Sequence, residues 1–390
     1  MAQATSKAQV IFRARTAESP ADLMEEIKFE DKIFEQVVDG LPSLECKCIA
    51  ITGSTSGTGF WLAVGAARKQ AAAILLLNRP STRAEAAEAE IKANAGTGTL
   101  VQSVACDLMS FEAVRAAAEE VKGLARKYGG LDVLACNAGI SSMSDVRTVD
   151  GFDVQMQVNH LSHFLLTSLL MPSLELAAGA RGEARVVQHS SGARYLSLGQ
   201  FPFGGKNMDA CPPGSLGGDS GVFAVVSQMG QQNMRYNHSK LANAVFAMAL
   251  HDKLAARSSK VKSLVVEPGA AATSLIAKGF EVEKDKPLSD TLKARLLRMF
   301  RGSGMMQSGA DGTCPLIMGC FAADSQSGDF YCPSNVMPPM IGVYANGMPF
   351  KTIVAGVPYK EGLEKAVVDS GNKEVLWSKS EAAIGEKFQF

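Results

Sequence analysis

The chain has 390 residues, 46% of them hydrophobic and 20% charged, a balance that suits a globular protein with room for a sizeable core. Lysine plus arginine and aspartate plus glutamate each total 39, so no net field points to nucleic acid or to an anionic membrane surface. A small molecule is the expected partner.

The first residues, MAQATSKAQVIFRARTAESPADLMEEIKFEDK, contain no apolar core of a signal peptide and soon turn acidic. No window reaches about 18 uninterrupted apolar residues, so no spanning helix is expected. The chain reads as cytoplasmic, with a plastid location as the alternative. Residues 1–45 form a charged extension, helical around 20–38, of no evident chemical role.

From residue 46 short apolar runs alternate with helical patterns. The runs are CKCIAIT (46–52), AAILLLN (72–78), TLVQSVACD (99–107), LDVLACNAG (131–139), ARVVQHSS (184–191), VKSLVVEPG (261–269) and GDFYCP (328–333). Between the third and fourth, Phe111, Val114, Ala118, Val121 and Leu124 recur at helical spacing. Strands apolar along their whole length are buried on both faces, which predicts an α/β, doubly wound parallel sheet of about seven strands with helices on each side.

Two stretches break the alternation. Residues 195–233, with Tyr195, Phe201, Phe203 and Phe223, are rich in Gly, Pro and Ser, and 275–310 follow the sixth strand as a charged helical lid. With no repeat and no second core, the expected organisation is the extension 1–45 and one domain, 46–390, carrying an insertion (195–233) and a substrate lid (275–310).

Eight cysteines stand at 46, 48, 106, 136, 211, 314, 320 and 332, several inside apolar runs. They read as free buried thiols in a reducing setting. Cys46 and Cys48 share one strand face, but no second pair completes a zinc site, so no metal is expected.

After the first strand comes TGSTSGTG, then the helical FWLAVGAARKQ. Glycines let the main chain approach a ligand at a strand-to-helix turn, whose outward amides cradle a pyrophosphate. Gly53, Ser54, Ser56, Gly57, Thr58 and Gly59 are the candidate cofactor residues there. The second strand ends in Asn78 and Arg79, with no acidic residue to take a ribose 2′-hydroxyl. Arg79 instead suits a 2′-phosphate, which favours NADP(H) over NAD. Asp107, followed by Leu108, either caps a helix or binds the adenine amino group.

Further on come CNAG (Asn137, Ala138, Gly139), VNHLSHFLLTSLL with Asn159, VVQHSSGAR with Ser190 and Ser191, and YNHSK with Tyr236 and Lys240. This order resembles the short-chain dehydrogenase/reductase family, whose pattern is TGxxxGxG, NAG, Asn, Ser and YxxxK, over about residues 47 to 335. NHLSHFLLT, YNHSKLANAVF and the closing LWSKSEAAIG are similar to the subgroup holding retinol dehydrogenases and light-dependent protochlorophyllide reductase. The resemblance implies a Rossmann fold, a carbonyl/alcohol oxidoreductase and catalytic Ser191, Tyr236, Lys240 and Asn159. It also implies that Asn137 and Gly139 flank the cofactor, that Lys240 contacts the nicotinamide ribose, and that Asn159 holds a water leading from Lys240 to solvent. Thr273 would reach the carboxamide, with Pro268 and Gly269 shaping the turn.

The chemistry explains the residue types. Carbonyl reduction needs a hydride on carbon and a proton on oxygen, and a phenol of pKa ~10 is a poor donor at neutral pH. Lys240, four residues on, lies on the same helix face as Tyr236. A cation about 4 Å away contributes on the order of 4 kcal/mol at an effective dielectric of ~20, at most ~3 pKa units of lowering. Ser191 takes the substrate-holding role by family alignment, with Ser190 turned away along the strand. His160, His163, His189 and His238 lie on separate elements and are expected to pack or face solvent.

Ala270 stands where the protochlorophyllide reductases carry cysteine. The 45 residues from Ser191 to Tyr236, aromatic-bearing, suggest a large apolar substrate; a loop without ligand contact is the alternative. The competing functions are a protochlorophyllide-type double-bond reductase and a dinucleotide-binding scaffold or redox-sensing subunit. Monomer and dimer both remain open.

Overall fold

The computed structural model describes residues 31, 33–141, 143, 146–197, 224–269, 271, 307–333, 335–337, 341–343, 351–353 and 365–390. Of these, 195–197, 224–233, 335–337, 341–343, 351–353 and 365 are described by secondary structure alone. Thr273, Ala270, most of the 195–233 insertion and the greater part of the 275–310 lid lie outside the described residues.

Every apolar run of the sequence became a strand: β1 (Cys48–Thr52), β2 (Ala73–Asn78), β3 (Leu100–Ala105), β4 (Val133–Cys136), β5 (Ala184–His189), β6 (Val261–Val266) and β7 (Phe330–Cys332). They pair in parallel in the order β7-β6-β5-β4-β1-β2-β3. All residues of β1, β2, β4 and β5 are buried, as a sheet covered on both faces requires. After the short β8 (Asn335–Met337) and β9 (Ile341–Val343), β10 (Lys351–Ile353) adds an antiparallel eighth strand beside β7. The strand order reverses between β1 and β4, which opens a crevice at their carboxyl ends.

Among the described residues the α-helices are α1 (Phe34–Asp39), α2 (Gly57–Arg68), α3 (Thr82–Ala93), α4 (Phe111–Ala125), α5 (Val154–Arg181), α6 (Ala224–Ala255), α7 (Cys314–Phe321), α8 (Lys365–Val368) and α9 (Ser370–Ile384). Ser81 and Ser110 cap α3 and α4, their hydroxyls accepting the amides of Ala84 and Ala113. Helix α5 is long and apolar enough to cross a membrane, but 83% of that window is buried within the protein, as in a core helix.

Residues 33–45, the described end of the expected extension, pack against the sheet. Phe34, Val37, Val38, Leu41 and Leu44 are buried in the core on the α2–α7 side of the sheet, and Phe34 meets Trp61 edge-on at 5.1 Å. The amides of Ile33 and Phe34 both donate to the buried carboxylate of Asp311 at 3.0 Å. The docking of this segment has no local signal, because its anchor lies 277 residues away.

On the other face α9 closes over α5 and α6. Trp377 and Phe388 pack on Phe164 and Phe246 with ring centroids 5.2 to 6.3 Å apart. Lys253 lies over Trp377 and Arg257 over Phe390. The closing motif LWSKSEAAIG thus supplies the ring that seals this face, and its Ser380 pairs with His160 of NHLSHF at 2.8 Å. Cys46 is exposed ahead of β1, whereas Cys48 is buried within it, so the two do not share a strand face.

Candidate active site

The phosphate turn is built as the glycines require. Gly53 has φ +71°, and a Cβ on it would sit 2.8 Å from Ala138 Cα. A Cβ on Gly59 would sit 2.4 Å from both Gly53 O and Asn137 Nδ2, so that only hydrogen fits. The turn and the first amides of α2 face the crevice beside β4, a geometry that fits a dinucleotide pyrophosphate.

Asn78 serves the turn from within. It accepts the amide of Ser54 and donates to its hydroxyl, each at 2.9 Å. Arg79 is exposed beside it. Sequence reasoning overlooked Arg83, one helical turn further on, whose guanidinium donates to the Ser56 hydroxyl. Asp107 accepts the amide of Met109 at 3.0 Å, closing an Asx turn ahead of the Ser110 cap, and Leu108 is buried, its carbonyl accepting from Ser162.

Asn137 is a structural hub. Its Nδ2 donates to the carbonyls of Thr52 (2.9 Å) and Gly53 (3.2 Å), so Oδ1 is the acceptor, taking Thr58 Oγ1 at 2.8 Å and His189 Nδ1 at 2.9 Å. The side chain is spent inside the protein, leaving Ala138 and Gly139 to line the cleft.

At the carboxyl ends of β4 and β5 the Ser, Tyr, Lys and Asn of the family pattern converge. Ser191 is hydrogen-bonded to the partly buried phenol of Tyr236. Ser190 turns the other way, donating to the Lys240 carbonyl at 2.8 Å. Lys240 Nζ donates to the His189 carbonyl at 2.9 Å and lies 5.8 Å from the Tyr236 ring centroid. A Cβ on Gly139 would meet Lys240 Nζ at 3.1 Å and Asn159 Oδ1 at 3.3 Å, so both groups crowd over one glycine.

Asn159 stands in a π-turn, Gln157–Leu161, within α5; such turns cluster at functional sites. Its Oδ1 accepts the Ile140 amide (2.8 Å), and Nδ2 donates to the Ile140 carbonyl (2.9 Å) and to Ser239 Oγ (2.8 Å). Ser239 in turn donates to the Tyr236 carbonyl at 2.7 Å. Pro268 accepts from Gln307, and Gly269 has φ +66° at the end of β6.

Burial, rather than the lysine, dominates the phenol. It pushes Tyr236 above its ordinary 10, and the Ser191 hydrogen bond pulls it only part of the way back. Lys240 holds its ammonium on the His189 carbonyl, and burial outweighs the lowering that its charge supplies. Burial also brings Lys240 down to about 8. The three histidines His160, His163 and His189 are fully enclosed and pushed down to about 3, 4 and 3. They are hydrogen-bonded inside the fold rather than facing solvent. Cys48, Cys106 and Cys136 are raised to about 12 by burial, which makes them unreactive.

Fold and site together define a doubly wound Rossmann protein with a Ser–Tyr–Lys cluster at its switch point. A family profile described as short chain dehydrogenase matches residues 47–202. Retinol dehydrogenase 12 from Bos taurus is 32% identical over 235 residues, covering 60% of this chain and 64% of that protein. Polyprenol dehydrogenase from Homo sapiens is 32% identical over 225 residues, covering 58% and 61%. The chain thus spans less than two thirds of the length of both. A WW domain-containing oxidoreductase from Danio rerio is 30% identical over 344 residues, covering 88% of this chain and 70% of that one. Among solved structures, an uncharacterised Mycobacterium paratuberculosis protein superposes with a TM-score of 0.59 at 25% identity, covering 90% and 98% of the two chains. The chain belongs to the short-chain dehydrogenase/reductase family and is similar to its retinol dehydrogenase-like members.

Proposed function

We propose that this protein is an NADP(H)-dependent oxidoreductase that interconverts a carbonyl and an alcohol on a large apolar substrate. The observation that carries the reading is the Ser191–Tyr236 hydrogen bond beside Lys240, at the strand ends next to the glycine turn. When bound, the dinucleotide supplies or accepts the hydride. Ser191 holds the carbonyl oxygen, and Tyr236 donates its hydroxyl proton to that oxygen as it gains charge. The ammonium of Lys240 stabilises the phenolate that remains. A phenol held above its ordinary pKa is protonated at neutral pH, which favours the reducing direction.

The preference for NADP(H) rests on Arg79, exposed at the end of β2, on Arg83, which donates to the Ser56 hydroxyl, and on the want of a carboxylate at the end of β2. The apolar substrate class is supported by relatives named for retinol and polyprenol, both long isoprenoid alcohols. A cytoplasmic location belongs to the same reading. The test is NADPH oxidation against a panel of large apolar aldehydes and ketones, with NADH as the control. Tyr236→Phe should lose most turnover and still bind NADPH; retained activity would sink the mechanism, and a clear preference for NADH would sink the reading of the arginines.

A further inference from the structure

Thr52, the last residue of β1, uses its hydroxyl as a junction. The oxygen accepts the amides of Asn137 and Ala138, both at 3.0 Å. Its single proton has two acceptors in reach, His163 Nε2 at 2.9 Å and the Ala135 carbonyl at 3.3 Å, and the shorter contact is to the ring. On its other side the same ring places Nδ1 3.0 Å from the main-chain carbonyl of Asn159. A carbonyl only accepts, so Nδ1 carries the ring's one hydrogen and Nε2 is left to accept from Thr52. The ring is neutral at any working pH, since burial holds it near 4. Both nitrogens are thereby used, and the bonds run in one direction: from the Asn137 and Ala138 amides to Thr52, to His163, to the Asn159 carbonyl.

The two ends of this relay matter separately. Asn137 and Ala138 flank the crevice beside the glycine turn, and Asn159 sits in the π-turn of α5 over Gly139 and Lys240. A buried histidine that merely filled space would not need both nitrogens aligned.

We propose that His163 is a positioning residue, a neutral clamp that ties the Asn159 kink to the end of β1. The dinucleotide-binding turn and the proton-handling cluster then keep one mutual geometry. The inference rests on reading the cleft as a dinucleotide site, and its test separates the two. Hydrogen exchange is followed at residues 52–59 and 154–165 with and without NADPH, in the wild type, His163→Leu, His163→Asn, Thr52→Val and Tyr236→Phe. Turnover is measured with all-trans-retinal as the probe aldehyde.

In the wild type, NADPH slows exchange in both segments. His163→Leu keeps the slowing at 52–59 and loses it at 154–165, and kcat falls roughly 10- to 100-fold with the KM for NADPH near wild type, the cost of a slightly misplaced group. His163→Asn, whose amide still reaches the Asn159 carbonyl, recovers part of kcat. Should His163→Leu not fold, Thr52→Val breaks the same relay from the strand and must show the same loss of coupling. Coupled protection that survives in Thr52→Val or His163→Leu overturns the proposal, as does a loss of turnover that only tracks the folded fraction. Tyr236→Phe keeps the coupled protection while losing turnover. A wild type that NADPH protects in neither segment removes the cofactor reading itself, and the clamp with it.

Discussion

Lowering the pH to about 5 should remove most of this protein's stability, because three histidines are buried where they cannot accept a proton. Their ordinary value is 6.5, and burial depresses His160, His163 and His189 to about 3, 4 and 3 in the folded state. A depressed folded pKa means that the stability is present above 6.5 and is lost as pH falls towards 3 to 4, since only the unfolded chain takes up protons in that window. At about pH 5 the unfolded form of each histidine is favoured by about 2 kcal/mol of protonation, or about 6 kcal/mol for the three. That is comparable with the whole stability of an ordinary domain, about 5–15 kcal/mol. His238, lowered to about 4 but less enclosed, adds in the same direction. The assay is chemical unfolding by urea at a series of pH values, with the midpoint converted through a constant m-value. Replacing His160, whose Nδ1 is buried without a hydrogen-bond partner, by Gln should flatten the curve by about one histidine's share. A midpoint that stays level between pH 7.5 and about 5 would refute the reasoning, because it would require the rings to charge inside the fold.

Three further outcomes follow from packing and charge. Arg83→Ala and Arg79→Ala should each weaken NADPH far more than NADH, and the double variant should bring the two cofactors close to parity, read by fluorescence titration. Phe34→Ala should cost about 3–5 kcal/mol in urea unfolding, since the ring is wholly buried against Trp61; a cost below about 1 kcal/mol would mean the N-terminal segment is not part of the core. Gly59→Ala drives a methyl to 2.4 Å from Gly53 O and Asn137 Nδ2, so it should destabilise by about 1–3 kcal/mol and abolish tight NADPH binding; a normal affinity would show that the turn yields.

The central sheet could be read directly because parallel strands buried on both faces are largely apolar along their length, with polar residues mostly near their ends. CIAIT, AILLLN and VLAC are apolar for that reason alone. What could not be read depended on partners far away in sequence. The strand β10 is three residues long and pairs antiparallel with β7, with no period of its own to announce it. The helix α1 overlaps the end of the stretch expected as helical, 20–38, but its docking is set by Asp311 and Trp61, far away in sequence.

The active site divides along the same line. Glycine spacing and the Tyr-to-Lys interval are local, and helical geometry puts Lys240 and Tyr236 on one face whatever surrounds them. The electrostatics are not local. An interval of four residues allows the ammonium to approach the phenol, but the His189 carbonyl takes it at 2.9 Å and leaves it 5.8 Å from the ring centroid. Desolvation then acts on both groups at once, raising the phenol and bringing the lysine to about 8. A lysine so placed does little for the resting phenol, because a neutral hydroxyl offers it no charge to oppose. Its full Coulombic effect appears only when the proton has left and a phenolate stands in the same low-dielectric pocket. On the proposed mechanism the interaction is stronger in the transition state than in the ground state, which is the condition for it to accelerate the step rather than merely stabilise the resting site. The carbonyl anchor of Lys240, supplied by His189 at the end of β5, fixes where that ammonium stands, and no interval in the sequence points to it.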